Sequence, residues 1–269
     1  MTEAEEEALA DAYERALELE KAGAPDAAAA WRAVLAMNDA DPGGAALRLA
    51  ALGAGPAPDR APAAYVATLF DQHADVFDGI LVDQLEYGAP LLARERVQAL
   101  GLGPFGGMLD LGCGTGLAAE AFEDMTEARA GVDLAPGMIE IADEKELYSA
   151  LFVGDAVTFL EQADERWDLI VATDVLPYLG DAAPLFRAVA ARAAPGALFI
   201  FTTETAPEAA FAGRPWTVTP HQRFAHAPAA LGLMLEAAGL SALEATEIMV
   251  RRESGAPIIG HLFLARAPG

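Results

Sequence analysis

A single cysteine, Cys113, stands among 269 residues. No intramolecular disulfide and no multi-cysteine metal site can form, as is usual in a reducing compartment, and no metal is expected. Only two lysines are present, Lys21 and Lys145, and the formal charge is -24. Such a chain repels a phosphate backbone and offers few counterion-releasing contacts, so a nucleic-acid partner is not expected. Long apolar runs are missing as well. The longest stretch free of Asp, Glu, Lys and Arg is the thirteen residues from Val97 to Leu109, too short to cross a bilayer. The opening Met-Thr-Glu-Ala-Glu-Glu-Glu lacks the basic and apolar regions of a secretory leader. The expectation is a cytoplasmic protein with no membrane partner.

Hydrophobic residues make up 54% of the chain, and this length buries most of that surface in one α/β domain plus a small appendage. The acidity is uneven. Residues 1–62 carry twelve acids against five bases, whereas residues 215–269 carry four of each and hold His221, His226 and His261, three of the four histidines. An anionic ligand would meet least repulsion there; a solvated surface with fewer acids gives the same count.

Residues 4–20 place Leu9, Tyr13, Ala16 and Leu17 on one helical face. After the breaker Ala22-Gly23-Ala24-Pro25, residues 26–37 form a second amphipathic helix with Ala27, Ala30, Trp31 and Val34 on one side. Asp41-Pro42-Gly43 ends it, a third short helix reaches Leu52, and the three prolines of residues 53–62 read as a linker. A domain boundary is therefore drawn at 62, with the main domain over 63–269. From residue 107 short apolar runs alternate with helical patterns, as in a parallel sheet with crossover helices. Strands are expected at 107–111, 128–133, 150–154, 168–173 and 197–203. An irregular stretch then precedes a helix at 228–238, and two closing strands at 240–250 and 258–266 are joined by a hairpin connection at 251–255.

The first of these strands runs into Leu109-Asp110-Leu111-Gly112-Cys113-Gly114-Thr115-Gly116. Glycines there let backbone approach a ligand at the carboxyl end of a strand, where open α/β sheets bind nucleotide-like molecules. The dinucleotide fingerprint would need glycine at Leu117, and the phosphate loop would need a Gly-Lys-Ser/Thr that is absent. Neither a nicotinamide oxidoreductase nor a phosphate-loop enzyme fits.

This octapeptide resembles the first motif of class I methyltransferases. The resemblance implies a Rossmann-like, mostly parallel seven-stranded sheet with its last strand antiparallel, and S-adenosylmethionine as cofactor. It further implies that Asp133, at the end of strand two, takes the ribose hydroxyls, that Met138 packs on adenine, and that Asp155, after strand three, accepts from the adenine amino group. Tyr87, Asp110, Gly112, Cys113, Gly114, Gly116, Leu134, Ala156 and Asp174 complete the implied cofactor set, Asp174 toward the methionine part. Phe70-Asp71-x-x-Ala74-x-x-Phe77-Asp78, Leu85-Glu86-Tyr87-x-x-Pro90, Asp174-Val175-Leu176-x-Tyr178-Leu179-Gly180 and Arg223-Phe224-x-His226 narrow the likeness to bacterial tetratricopeptide-repeat methyltransferases, similar in turn to ubiquinone-pathway O-methyltransferases. Residues 1–62 resemble one and a half tetratricopeptide repeats. Too few for a solenoid core, they are expected to lay their apolar stripe on the following domain, as a cap or as an arm for a protein partner.

Methyl transfer is an in-line displacement, so holding the acceptor atom near the methyl carbon is the main task. An acceptor that starts protonated also needs a base, and histidine is best matched to neutral pH. His221 and His226 are the candidates, each equally readable as a histidine hydrogen-bonded in a loop. Glu204 is an alternative base or an anchor for a substrate amine. Arg223 could clamp an anionic acceptor through two parallel hydrogen bonds, or only pair with a nearby acid. Tyr178, Phe70 and Phe77 are further substrate-side candidates, the two phenylalanines as a lid or as the core side of their helix. The rival reading is a scaffold or sensor that binds the cofactor without transferring its methyl group.

Overall fold

The computed structural model describes residues 2–72, 74–253 and 255–269. Three helices open the chain: α1 (Glu3–Lys21), α2 (Ala27–Met37) and α3 (Ala45–Ala51). Asp41 caps the third, its carboxylate accepting from Ala45 N at 2.7 Å and Ala46 N at 2.9 Å, which satisfies amides that a helix start leaves unpaired. The apolar stripe expected to need an outside surface closes within this segment instead: Ala16, Trp31, Val34, Ala45 and Leu49 form one buried cluster with Leu9, Tyr13 and Leu17. The expectation failed because α3 supplies the missing third wall. Contact with the remaining chain is narrower and runs through a second cluster, in which Leu47 meets Ala61, Val66 and Phe224.

Helix α4 (Ala63–Asp71), an irregular segment that includes a π-helical turn (Gly79–Gln84) and α5 (Ala89–Ala99) lead into β1 (Phe105–Leu111). Then follow α6 (Leu117–Ala121), β2 (Thr126–Asp133), α7 (Pro136–Glu144), β3 (Ala150–Val153), α8 (Ala156–Gln162), β4 (Trp167–Ala172), α9 (Ala183–Arg192) and β5 (Ala193–Glu204). The chain ends in α10 (Glu208–Phe211), β6 (Trp216–Val218), β7 (Phe224–His226), α11 (Pro228–Ala237), β8 (Ser241–Glu253) and β9 (Ala256–Arg266). Parallel pairing gives the order β3-β2-β1-β4-β5; β9 then adds antiparallel to β5, and β8 antiparallel to β9. Seven strands with one reversed form the central sheet, as expected. Its middle strands are apolar on both faces (Leu169, Ile170 and Val171 are fully buried) because helices cover both sides.

Two features depart from the expected layout. The stretch after β5 contains the hairpin β6–β7, whose ladder pairing with β5 is Glu204↔Ala225. The closing hairpin also turns later than expected: Arg251↔Ile258, Arg252↔Pro257 and Glu253↔Ala256 continue the pairing, so Arg251 and Glu253 are strand residues. Gly255, at φ +79°, takes the left-handed conformation that the tighter turn requires.

Candidate active site

The carboxyl ends of β1 to β4 open into one cavity of about 1060 Å³, counting its mouth, room enough for a bound small molecule. Where β1 ends, Gly112 N and Cys113 N both donate to the Val132 carbonyl, at 2.8 and 3.1 Å, which folds the loop back over β2. Gly112 has φ +65°, and a Cβ there would lie 2.6 Å from Val175 Cγ2; only glycine fits so close an approach. The loop is held from outside by Thr115, whose hydroxyl donates to Asp78, and Asp78 in turn accepts from Lys145 at 2.7 Å.

Asp133 lies at the end of β2 and lines the cavity. Its Oδ2 accepts from Gly114 N and its Oδ1 from Ala135 N, both at 2.9 Å. Burial pushes its carboxyl above the ordinary range, and among the described residues no Lys or Arg pairs with it. Asp155 caps α8 by accepting from Thr158 N and Oγ1 through Oδ1, both at 3.0 Å, while its Oδ2 accepts from Arg60. Asp110 stands behind the loop rather than on the cavity, accepting from Tyr148 Oη at 2.7 Å; burial pushes it up to about 7. Gly116, at φ +95° with Tyr148 packed 3.1 Å from where its Cβ would lie, shapes the turn into α6 without lining the cavity. Tyr87, Gly112, Cys113, Gly114, Leu134, Ala156 and Asp174 line it. Met138 does not. It is buried beside Ala74 and Ala135, packed with Phe70 and Phe77, because the inner face of α7 looks toward α4 and the segment after it.

A second part of the lining is aromatic, and it reaches the glycine loop: a Cβ on Gly114 would lie 3.9 Å from the Phe77 ring. Phe70 meets Phe77 and Tyr178 edge to face, with centroids 5.8 and 5.4 Å apart, and Tyr87 and Leu81 close the wall. Burial holds the Tyr87 and Tyr178 hydroxyls well above their ordinary range, so both stay protonated. Asp174 completes this part of the lining in a left-handed backbone conformation, φ +60°. Its N–H donates to Thr202 Oγ1 at 2.9 Å and its Oδ1 accepts from Arg251 Nη1 at 2.8 Å.

The sequence-derived catalytic candidates lie beyond that wall. Arg251 also donates to Glu204, Glu204 accepts from Arg223 at 2.7 Å, Arg223 donates on to Glu253, and Glu253 pairs with His221 at 2.9 Å. Arg223 is therefore committed to two carboxylates and Glu204 to two guanidiniums, and neither lines the cavity. His221 sits at the exposed end of the series, its side chain 44% accessible. His226 is fully buried, with Nε2 donating to the Gly180 carbonyl at 3.1 Å and Nδ1 3.2 Å from Thr203 Oγ1. Burial lowers its pKa to about 4, so it is neutral at neutral pH and a poor base. It braces the Gly180 loop from below. Sequence reasoning missed Arg251, hidden in what reads as a charged turn, and Arg60, hidden in a proline-rich linker.

The tight glycine loop, the unpaired buried Asp133 and the Asp155 beyond it fit a nucleoside joined to a compact charged tail. Comparison with known proteins agrees. Residues 85–245 match the family described as a methyltransferase domain. A ubiquinone biosynthesis O-methyltransferase of Methylobacterium nodulans is 26% identical over 60% of this chain and 68% of its own length. A malonyl-[acyl-carrier protein] O-methyltransferase of Serratia marcescens is 24% identical over 60% of this chain and 61% of its own. The crystal structure of the N-methyltransferase NodS from Bradyrhizobium japonicum, in complex with S-adenosyl-L-homocysteine, superposes with a TM-score of 0.59 at 18% identity, covering 76% of this chain and 99% of that one. This chain belongs to the methyltransferase-domain family and is an S-adenosylmethionine-dependent methyltransferase.

Proposed function

We propose that the protein methylates an oxygen or nitrogen of a small acceptor that sits between Phe70, Phe77, Tyr87 and Tyr178, beside Asp174. One observation carries this reading: a single cavity is lined by the glycine loop, Asp133 and Asp155 together with an aromatic group and one fixed carboxylate, Asp174. Gly112, Gly114, Asp133, Leu134, Asp155 and Ala156 would hold the donor. When bound, it supplies a methyl carbon on a positively charged sulfur, open to in-line displacement. The chain's own task is then positional, keeping the acceptor atom about 3 to 3.5 Å from that carbon. Asp174, fixed by Arg251 and Thr202, accepts from the acceptor's O–H or N–H and takes that proton as the bond to carbon forms and the carbon–sulfur bond breaks, the sulfur leaving as a neutral thioether, and the aromatic wall keeps water away.

The acceptor is neutral or cationic in this reading. Arg223, on which an anionic acceptor depended, is neutralised by Glu204 and Glu253, and the cavity wall carries Asp133, Asp155 and Asp174. Cys113 is free and buried, no helix among the described residues is long and apolar enough to cross a membrane, and we place the protein in the cytoplasm on the reducing-compartment argument. The test is transfer of labelled methyl from the donor to a panel of small amines, phenols and carboxylic acids and to cell extract. Label on a low-mass amine or hydroxyl is the expected result. Label on carboxylates alone overturns the charge assignment, and donor binding without transfer to any small molecule or protein favours a scaffold or sensor.

A further inference from the structure

Residues 53–62 read from sequence as a linker, yet three of them are bonded to the loop that follows β4. Ala61 N donates to the Tyr178 carbonyl, and Gly180 N and Asp181 N both donate to the Asp59 carbonyl, each at 2.8 Å, with Arg60 bridged to Leu179. The approach is close enough to dictate the sequence opposite: a Cβ on Gly180 would lie 2.9 Å from the Asp59 carbonyl and 2.6 Å from Trp216 Nε1. The strap thus grips the segment that carries Tyr178 and Leu179 into the cavity, while His226 braces the same segment from the other side.

The strap also lines the cavity itself, through Arg60, Ala61, Ala63 and Val66. Arg60 is the one Lys, Arg or His among the described lining residues. Its guanidinium is 55% accessible and donates to Asp155 Oδ2 at 3.3 Å, the oxygen that capping of α8 leaves unused. An exposed pair of this kind adds little stability by itself; its value lies in where it holds that oxygen.

We propose that Arg60 is a positioning residue of the donor site, supplied by the N-terminal segment. It fixes Asp155 Oδ2 at the cavity wall and seats the strap, so the donor pocket is complete only when α1–α3 and the strap are docked. This rests on the reading of the cavity as the donor site. Donor binding and strap docking are then one coupled equilibrium, and each strengthens the other by the same factor.

The test uses the full chain and S-adenosylhomocysteine as probe, by calorimetry and amide hydrogen exchange. Saturating ligand is expected to slow exchange at the amides of Ala61, Gly180 and Asp181 at least tenfold. Arg60→Ala is expected to weaken binding three- to tenfold at unchanged Tm, with Arg60→Lys recovering most of the loss. Ala61→Pro, which deletes the strap's N–H and leaves every other cavity side chain unchanged, is expected to weaken binding too. Affinity within twofold of the parent in folded Arg60→Ala, or exchange at those three amides indifferent to ligand, overturns the proposal. A parent chain that fails to bind the probe overturns the donor-site reading instead.

Discussion

The two halves of the sheet's carboxyl edge use the same side chains in opposite ways. On the β1–β3 half, Asp110, Asp133 and Asp155 stand with backbone amides and hydroxyls around them and only the half-exposed Arg60 as a cation. On the β4–β9 half, Asp174, Glu204 and Glu253 alternate with Arg251 and Arg223 in an unbroken series of ion pairs. A buried carboxylate without a cation bears a desolvation cost, and for Asp133, on the cavity wall, a ligand's donors can relieve it; burial raises Glu204 too, but there two guanidiniums already stand against it. Paired ones have already been completed by the protein. Residue type alone selected Glu204, Arg223, His221 and His226 as chemistry, and all four fall on the completed half.

The largest expected effect comes from breaking that half. Arg251 is 4% exposed, and Arg251→Met leaves Asp174 without a counter-charge and Glu204 with Arg223 alone. Removing one partner of a buried pair costs about 3 to 5 kcal/mol, to be read from the urea midpoint. Adding Glu204→Gln to the same variant should return part of the loss, since the like charge nearest the stranded Asp174 is then gone while Arg223 keeps Glu253. A single variant within about 1 kcal/mol of the parent would show the series to be ornamental to stability.

Next in size is an acid-linked loss centred on His226. With a folded pKa of about 4 against 6.5, the unfolded chain binds a proton there that the folded chain refuses. The stability this histidine provides is complete above about pH 6.5 and falls away as pH drops toward 4, by about 3 kcal/mol in total. His226→Gln can still donate to the Gly180 carbonyl but does not titrate. The difference in unfolding free energy between parent and variant should therefore change with pH only inside that window; a constant difference refutes the buried, neutral imidazole.

On the β1–β3 half the effect should appear in binding rather than folding. Asp133→Ala is expected to weaken S-adenosylhomocysteine by about 1.5 to 3 kcal/mol, the scale of hydrogen bonds to a charged group, with little change in Tm. This half was legible in the sequence because its parts are local: each residue sits where a strand ends, a few positions from a glycine turn or a helix start. The ion-pair series was not, because its members come from the ends of β4, β5 and β8 and from the β6–β7 hairpin, up to 79 positions apart (174 to 253). Arg251-Arg252-Glu253 has the composition of an exposed turn, and only the register with β9 turns it inward. Met138 does not line the cavity for a related reason: it packs with Phe70, Phe77 and Ala74, and which side of α7 faces them is something motif spacing does not encode. The seven-stranded order was readable from alternation of pattern, whereas β6 and β7, three residues each, are too short to show a period.

The smallest predicted effect is the sharpest test of the contrast, because it concerns the residue whose type most suggests catalysis. His221 sits on the loop between β6 and β7, and its ring Nδ1 meets Glu253 Oε1 at 2.9 Å. The Arg223 guanidinium already holds that carboxylate below its ordinary range, so losing the imidazole leaves Glu253 paired. An ion pair this exposed contributes about 0 to 1 kcal/mol, and no part of the cavity wall belongs to His221. His221→Ala should therefore change unfolding free energy by less than about 0.5 kcal/mol, leave S-adenosylhomocysteine affinity untouched, and leave the pH dependence of methyl transfer superimposable on the parent's. If the pH profile loses a limb near neutrality while affinity and stability hold, His221 works as a base reached by a rearranged hairpin, and the division between an open half and a completed half no longer stands.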